Sequence, residues 1–226
     1  GLSNRSIGIY PDDGRWKQLN DDNILKELKD FKQHGINQLF APSGRPLVRN
    51  NEITGWTFDK KDMRLMYLIM GQNIRGSFIV QFSWLDKWLA DFFKIPNAEL
   101  KKDPVLWPLE VKETYKKCLI FFKMEFDKNG WGEAVFHAVD EPGYWKKGSP
   151  EHFMWKYKTA VDAGLKTYST SSYPPSDPLG KSISYHTYGR SILINPERTN
   201  FVRDQTHKAN QTFWYYATGS YSGQIG

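Results

Sequence analysis

Apolar residues recur along this chain in two alternating rhythms. Short runs, several of them strongly apolar, read as strands: residues 6–11 (SIGIYP), 37–41 (NQLFA), 77–84 (SFIVQFSW), 133–140 (EAVFHAVD), 166–171 (KTYSTS), 182–187 (SISYHT) and 212–217 (TFWYYA). Amphipathic segments between them read as helices. The helix over 21–34 carries Ile24, Leu25, Leu28 and Phe31 on one stripe, takes Asp21 and Asp22 as its cap and stops at Gly35. A second, over 59–72, is capped by Asp59 and puts Met63, Met66, Tyr67 and Met70 on one side. Further helices are expected over 109–127, over 150–163 before Gly164, and over 196–208.

Strands that are apolar on both faces and alternate with helices belong to parallel sheets with helices packed outside. Seven strands in one repeating order favour an α/β fold of the (β/α)8, TIM-like barrel type over an open doubly wound sheet. The first strand runs into IGIYPDDGRW with no glycine-rich phosphate loop, so no dinucleotide site and no cofactor are expected. The seventh strand ends near Ala217, leaving only about nine residues, too few for another helix and an eighth strand. The barrel is therefore expected to be incomplete or irregular at its C-terminal end, within a single domain spanning 1–226.

Composition adjusts this picture modestly. The 226 residues are 39% hydrophobic and 25% charged, as in one soluble globular domain, and no apolar run approaches the roughly 20 residues that cross a bilayer. The net charge of +6 is spread over pairs such as Lys60-Lys61, Lys101-Lys102, Lys116-Lys117 and Lys146-Lys147, which read as solvated helix faces rather than a nucleic-acid patch. The lone Cys118, inside CLIFF, reads as a buried small hydrophobe. The chain opens Gly-Leu-Ser with neither an initiator Met nor a signal segment, so its N-terminus reads as processed or engineered. The compartment stays open, with a secreted or periplasmic location slightly favoured, and nothing in the sequence fixes an oligomeric state. The unusual feature is 15% aromatic content, with 9 Trp, 12 Tyr and 14 Phe, enough to fill a core and still line a site that stacks on flat ligands.

In such barrels chemistry sits at the carboxyl ends of the strands. There the sequence collects acids and aromatics: Asp12-Asp13, Pro42 to Arg45, Gln81 to Trp84 with Asp86, Asp140-Glu141-Pro142-Gly143-Tyr144-Trp145, His186-Thr187-Tyr188 and Trp214-Tyr215-Tyr216. Carboxylates beside aromatic platforms suit glycosidic cleavage, which needs an acid for the leaving oxygen and flat surfaces for sugar rings. The sharpest element is HAVDEPGYW, because adjacent carboxylates repel and one is thereby kept protonated near neutral pH. Asp12 or Asp13 can bind sugar hydroxyls or cap the turn into Gly14. Trp84 and Trp145 can stack on rings or anchor loops. His186 and Tyr188 can meet hydroxyls or form a satisfied strand-end pair, and Tyr215 or Tyr216 can donate a hydrogen bond or pack in the core. His137, three residues before Asp140, falls on the opposite strand face and reads as structural.

The Asp140-Glu141-Pro142 stretch, acids after strand one and the aromatic strand seven (FWYYATGSYS) together resemble the catalytic barrel of the family 123 glycoside hydrolases and their relatives. The resemblance implies Glu141 as general acid/base. It implies Asp140 as the group that orients the 2-acetamido substituent of a hexosamine, whose carbonyl oxygen acts as internal nucleophile. An oligosaccharide or polysaccharide would be the partner.

One absence points the same way. Many retaining glycosidases on this barrel carry a nucleophilic Glu at strand seven, whereas here no acid follows Asp204. That leaves substrate assistance, an acid from another strand end such as Asp12, Asp13 or Asp86, or an inactive barrel. A metal-dependent hydrolase is disfavoured because no HxH or HExxH spacing occurs and His34, His152 and His207 fall on helices or their ends, so no metal is expected. A barrel that binds glycans without cleaving them, or a structural module of a polysaccharide-processing protein, remains the alternative.

Overall fold

The computed structural model describes residues 20–34, 38–74, 76–138, 149–170, 176–178, 180–188 and 195–215. The elements are α1 (Asp21–Gln33), β1 (Leu39–Phe40), β2 (Arg45–Arg49), β3 (Glu52–Thr57), α2 (Lys60–Gly71), β4 (Ser77–Gln81), α3 (Leu85–Phe93), α4 (Leu109–Lys128), β5 (Glu133–His137), α5 (Pro150–Asp162), β6 (Lys166–Ser169), β7 (Tyr185–Tyr188), α6 (Pro196–Lys208) and β8 (Thr212–Tyr215). The strand expected over 6–11 lies outside the described residues.

Side-chain caps fix where most helices start. The α1 cap is Asn20, whose Oδ1 accepts from the Asn23 amide at 3.0 Å. Asp21 and Asp22, expected to be the cap, instead occupy the first turn, where their charge opposes the helix dipole. Asp59 caps α2 as expected, accepting from the Lys61 and Asp62 amides at 2.8 and 2.9 Å. Ser149 and Asn195 cap α5 and α6, each followed by a proline at the first helical position. On α2 the expected stripe is rotated: Met66 and Ile69 are buried, while Met63 and Tyr67 face solvent.

Six strands form one parallel sheet in the order β1-β4-β5-β6-β7-β8. Between β1 and α2 the chain detours through an antiparallel hairpin, β2–β3, that the periodicity did not predict. Its turn is Asn50-Asn51, both at positive φ, the arrangement a two-residue hairpin turn requires. At the base of the hairpin Gly44 (φ +60°) is indispensable, since a Cβ there would stand 2.5 Å from the Thr57 carbonyl oxygen and 2.6 Å from Trp56 Nε1. The helix α3 was also absent from the expected elements.

The two faces of the sheet are packed differently. Phe78, Val80, Phe82, Ala134, Phe136 and Ala138 turn toward the helices and join one large core with Trp56, Phe122, Phe126 and Trp131. The opposite face holds a small cluster of Phe40, Ile79, Val135 and Tyr168, with Tyr185 against it. Cys118 is fully buried on α4, and burial pushes its thiol up to about 12. Among the described residues no helix is long and apolar enough to cross a membrane.

Candidate functional site

Strand periodicity carries the inner face of β4 and β5 upward from Ile79 and Val135 to Gln81 and His137, which are register partners at the carboxyl end of the pair. These two residues and Ala138 form one side of a pocket of about 320 Å3. The other side comes from the segments that follow each strand: Ser83, Asp86 and Lys87 around the start of α3, Asn97 and Lys101 from the loop after it, and His152, Phe153 and Lys156 from α5. The pocket therefore lies where a (β/α) barrel places its chemistry.

Its deepest polar feature is a three-member ionic cluster. Asp86 sits in the first turn of α3, and its Oδ2 accepts a 2.6 Å hydrogen bond from Lys156 Nζ and lies 3.5 Å from His152 Nε2. His152 and Lys156 are four apart on α5 and so project from one helix face. Both are about 1% exposed, which makes the partnership obligatory for the ammonium. Burial alone would push the Asp86 carboxyl up, but the Lys156 charge and the His152 hydrogen bond outweigh it and hold it below its ordinary value. Burial lowers His152, aided by the Lys156 charge and opposed by Asp86, so its imidazole stays neutral to lower pH than usual. Asp86 Oδ1 is buried with no hydrogen-bond partner among the described residues.

At the amino end of the same inner face, the Glu133 carboxylate accepts from Ser77 Oγ at 2.8 Å and from the Tyr185 hydroxyl. Burial and that bond to Glu133 push the Tyr185 phenol up to about 12. This cluster closes the interior with satisfied polar groups, in contrast to the open carboxyl end.

The expected site residues divide into three groups. Asp12, Asp13, Asp140, Glu141, Trp145 and Tyr216 lie outside the described residues. Tyr188 and Tyr215 end β7 and β8, paired in register, and only their backbone is described. Trp84 and His186 are placed in full. Trp84 precedes α3 rather than ending β4, donates its indole N–H to Ser43 Oγ at 2.9 Å and rests on Trp56 and Phe82, which makes it a loop anchor that does not line the pocket. His186 is fully buried, with Nε2 3.0 Å from Gln211 Oε1, and it too is absent from the pocket wall.

Several pocket residues have no site signal in the sequence, and three of them bear on its chemistry. His137 faces away from the helices, as its parity required, but that face is the one with the pocket. Lys156 falls on the buried stripe of α5 with Phe153, Tyr157 and Ala160, and a lysine at such a position is a legible signal of a buried partner. His152 was taken only as a helix residue. Among the described residues no group of three or more His, Cys, Asp or Glu side chains is disposed to hold a metal ion.

No family model matches the sequence, and no curated protein matches it. Among solved structures, the endo-1,4-beta-mannanase of Rhizomucor miehei is similar in fold, at a TM-score of 0.50 and 10% identity over 91% of this chain and 74% of that one. A sugar phosphate isomerase/epimerase from Parabacteroides distasonis aligns over 98% of this chain and 91% of that one at 10% identity, but with a TM-score of 0.42 it carries no argument. The fold is accordingly α/β, a TIM-like barrel, and the six-strand order among the described residues is consistent with an incomplete barrel. The likeness extends to the barrel and not to family 123.

Proposed function

We propose that this barrel hydrolyses glycosidic bonds, with 2-acetamido sugars as substrates and the acetamido carbonyl as internal nucleophile. In this reading Glu141 is the general acid/base and Asp140 orients and polarises the acetamido group. The observation that carries it is the pocket at the carboxyl ends of β4 and β5: Ala138 forms part of its wall, and Asp140 and Glu141 follow in the chain two and three residues later. The ionic cluster adds support by elimination. Asp86, one of the acids available for a two-carboxylate mechanism, is engaged by Lys156 and is thereby a poor nucleophile. Asp12 or Asp13 would bind hydroxyls, Trp145 would stack on a ring, and Tyr188 with Tyr215 or Tyr216 would donate hydrogen bonds.

The test is turnover of aryl 2-acetamido glycosides against the corresponding plain glycosides. Glu141→Gln is expected to slow hydrolysis of substrates with poor leaving groups by about 10²–10⁴-fold, and Asp140→Asn to impair acetamido substrates selectively. Unchanged turnover in Glu141→Gln removes that residue from the mechanism. Glycan binding by the wild-type chain with no turnover assigns it to the non-catalytic carbohydrate-binding alternative.

A further inference from the structure

The pocket has a charge that a neutral sugar does not require. Three lysines line it (Lys87, Lys101 and Lys156) against a single carboxylate, Asp86. That carboxylate is matched by Lys156, so the surplus is carried by the other two. Lys101 has no ion-pair partner among the described residues, although it belongs to one of the lysine pairs that the sequence alone assigns to a solvated surface. Lys87 meets Asp91 at 2.7 Å, but both side chains are about 70% exposed (71% and 67%), so water competes effectively for that pair.

Three residues with neutral donor groups, Gln81, Ser83 and Asn97, line the same space. The start of α3 borders it, and its N-cap residue Trp84 supplies no side-chain acceptor to the first-turn amides. Surplus positive charge together with amide and hydroxyl groups along one cavity wall forms a set suited to an oxyanion.

We infer that the pocket takes the anionic substituent of a sugar, a sulfate, phosphate or carboxylate group, with Lys101 as the principal cation and Lys87 recruited from Asp91. This deepens the proposed function by naming an anionic sugar as the substrate class, and it rests on that reading for the sugar but not for the anion.

Isothermal titration of the full chain with N-acetylglucosamine, its sulfate and phosphate esters and N-acetylmuramic acid separates the three anions, with inorganic sulfate titrated in parallel. At least one charged sugar is expected to bind about tenfold or more tightly than the neutral one, with an advantage that shrinks as salt rises. Lys101→Gln should cut that advantage severalfold and Lys101→Arg should keep most of it. Equal affinity for charged and neutral sugars at low salt overturns the inference, as does an advantage that survives Lys87→Gln combined with Lys101→Gln. Sulfate binding with no sugar binding keeps the anion site and removes the glycoside reading. Neutral-sugar binding with no gain from charge does the reverse, and no binding of any probe overturns both.

Discussion

The two faces of β4 and β5 share one backbone and have opposite compositions. Toward the helices every position is apolar: Phe78, Val80 and Phe82 on or just after β4, Ala134, Phe136 and Ala138 on or just after β5. On the other face only Ile79 and Val135 are apolar, with Ser77 and Glu133 below them and Gln81 and His137 above. The period of two thus sends stability one way and chemistry the other, residue by residue. Polar groups are tolerated at the ends of the inner face because the lower ones satisfy one another and the upper ones open on the pocket.

If that division is real, substitutions of neighbouring residues should have unlike effects. Phe136→Ala removes a fully buried ring stacked on Phe82 and edge-on to Tyr157, and is expected to destabilise the fold by about 4 kcal/mol; urea unfolding measures it, and a loss under about 1 kcal/mol would blur the distinction.

Asp86→Asn, at the border between core and pocket, should cost about 3 kcal/mol by leaving Lys156 buried without its counter-ion. Asp86→Leu combined with Lys156→Met should cost less than either single change, since no charge is then stranded. The same cluster sets an acid limit. Because the folded His152 is held below its ordinary 6.5, the unfolded chain takes up a proton there first, so stability declines as the pH falls below about 6.5. The Asp86 contribution is complete above 3.8 and is lost as pH falls through its lowered folded value. Unfolding free energies measured between about pH 7 and about pH 4 should lose the upper part of this slope in His152→Gln.

His137→Gln should lie at the other extreme, changing stability by about 1 kcal/mol or less while weakening ligand binding about tenfold. A large stability loss with intact binding would return His137 to the structural role that its strand position first suggests.

Much of this architecture was legible in the chain, and the gaps have physical reasons. Helices announced by a cap and a proline, as at Ser149-Pro150 and Asn195-Pro196, fall where expected. The run at 77–84 reads as one strand because Phe82 and Trp84 are apolar. Yet the ladder stops at Gln81, and Leu85, Trp88, Leu89 and Phe92 begin a helix whose pattern the preceding strand obscured. The hairpin hid because its turn is Asn-Asn rather than Asn-Gly and its strands are mostly exposed. Of the strand ends that the sequence marks, those of β4 and β5 border the pocket. Its ionic cluster is hidden in the sequence because all three members lie on helices, where polar residues are ordinarily assigned to solvent.

The hairpin also bears on the order in which the molecule assembles. Arg49 and Glu52 pair almost as soon as both exist, closing a turn of two residues, a microsecond event in isolated hairpins. Ser77 and Glu133, the first rung of the ladder that walls the pocket, are separated by 56 positions, and their meeting waits on the formation and docking of the helices between them. The hairpin that carries the buried Trp56 can therefore form before the central strands pair. Gln81 and His137, at the far end of the slow ladder, come together late, so the pocket wall is completed only after most of the architecture is in place.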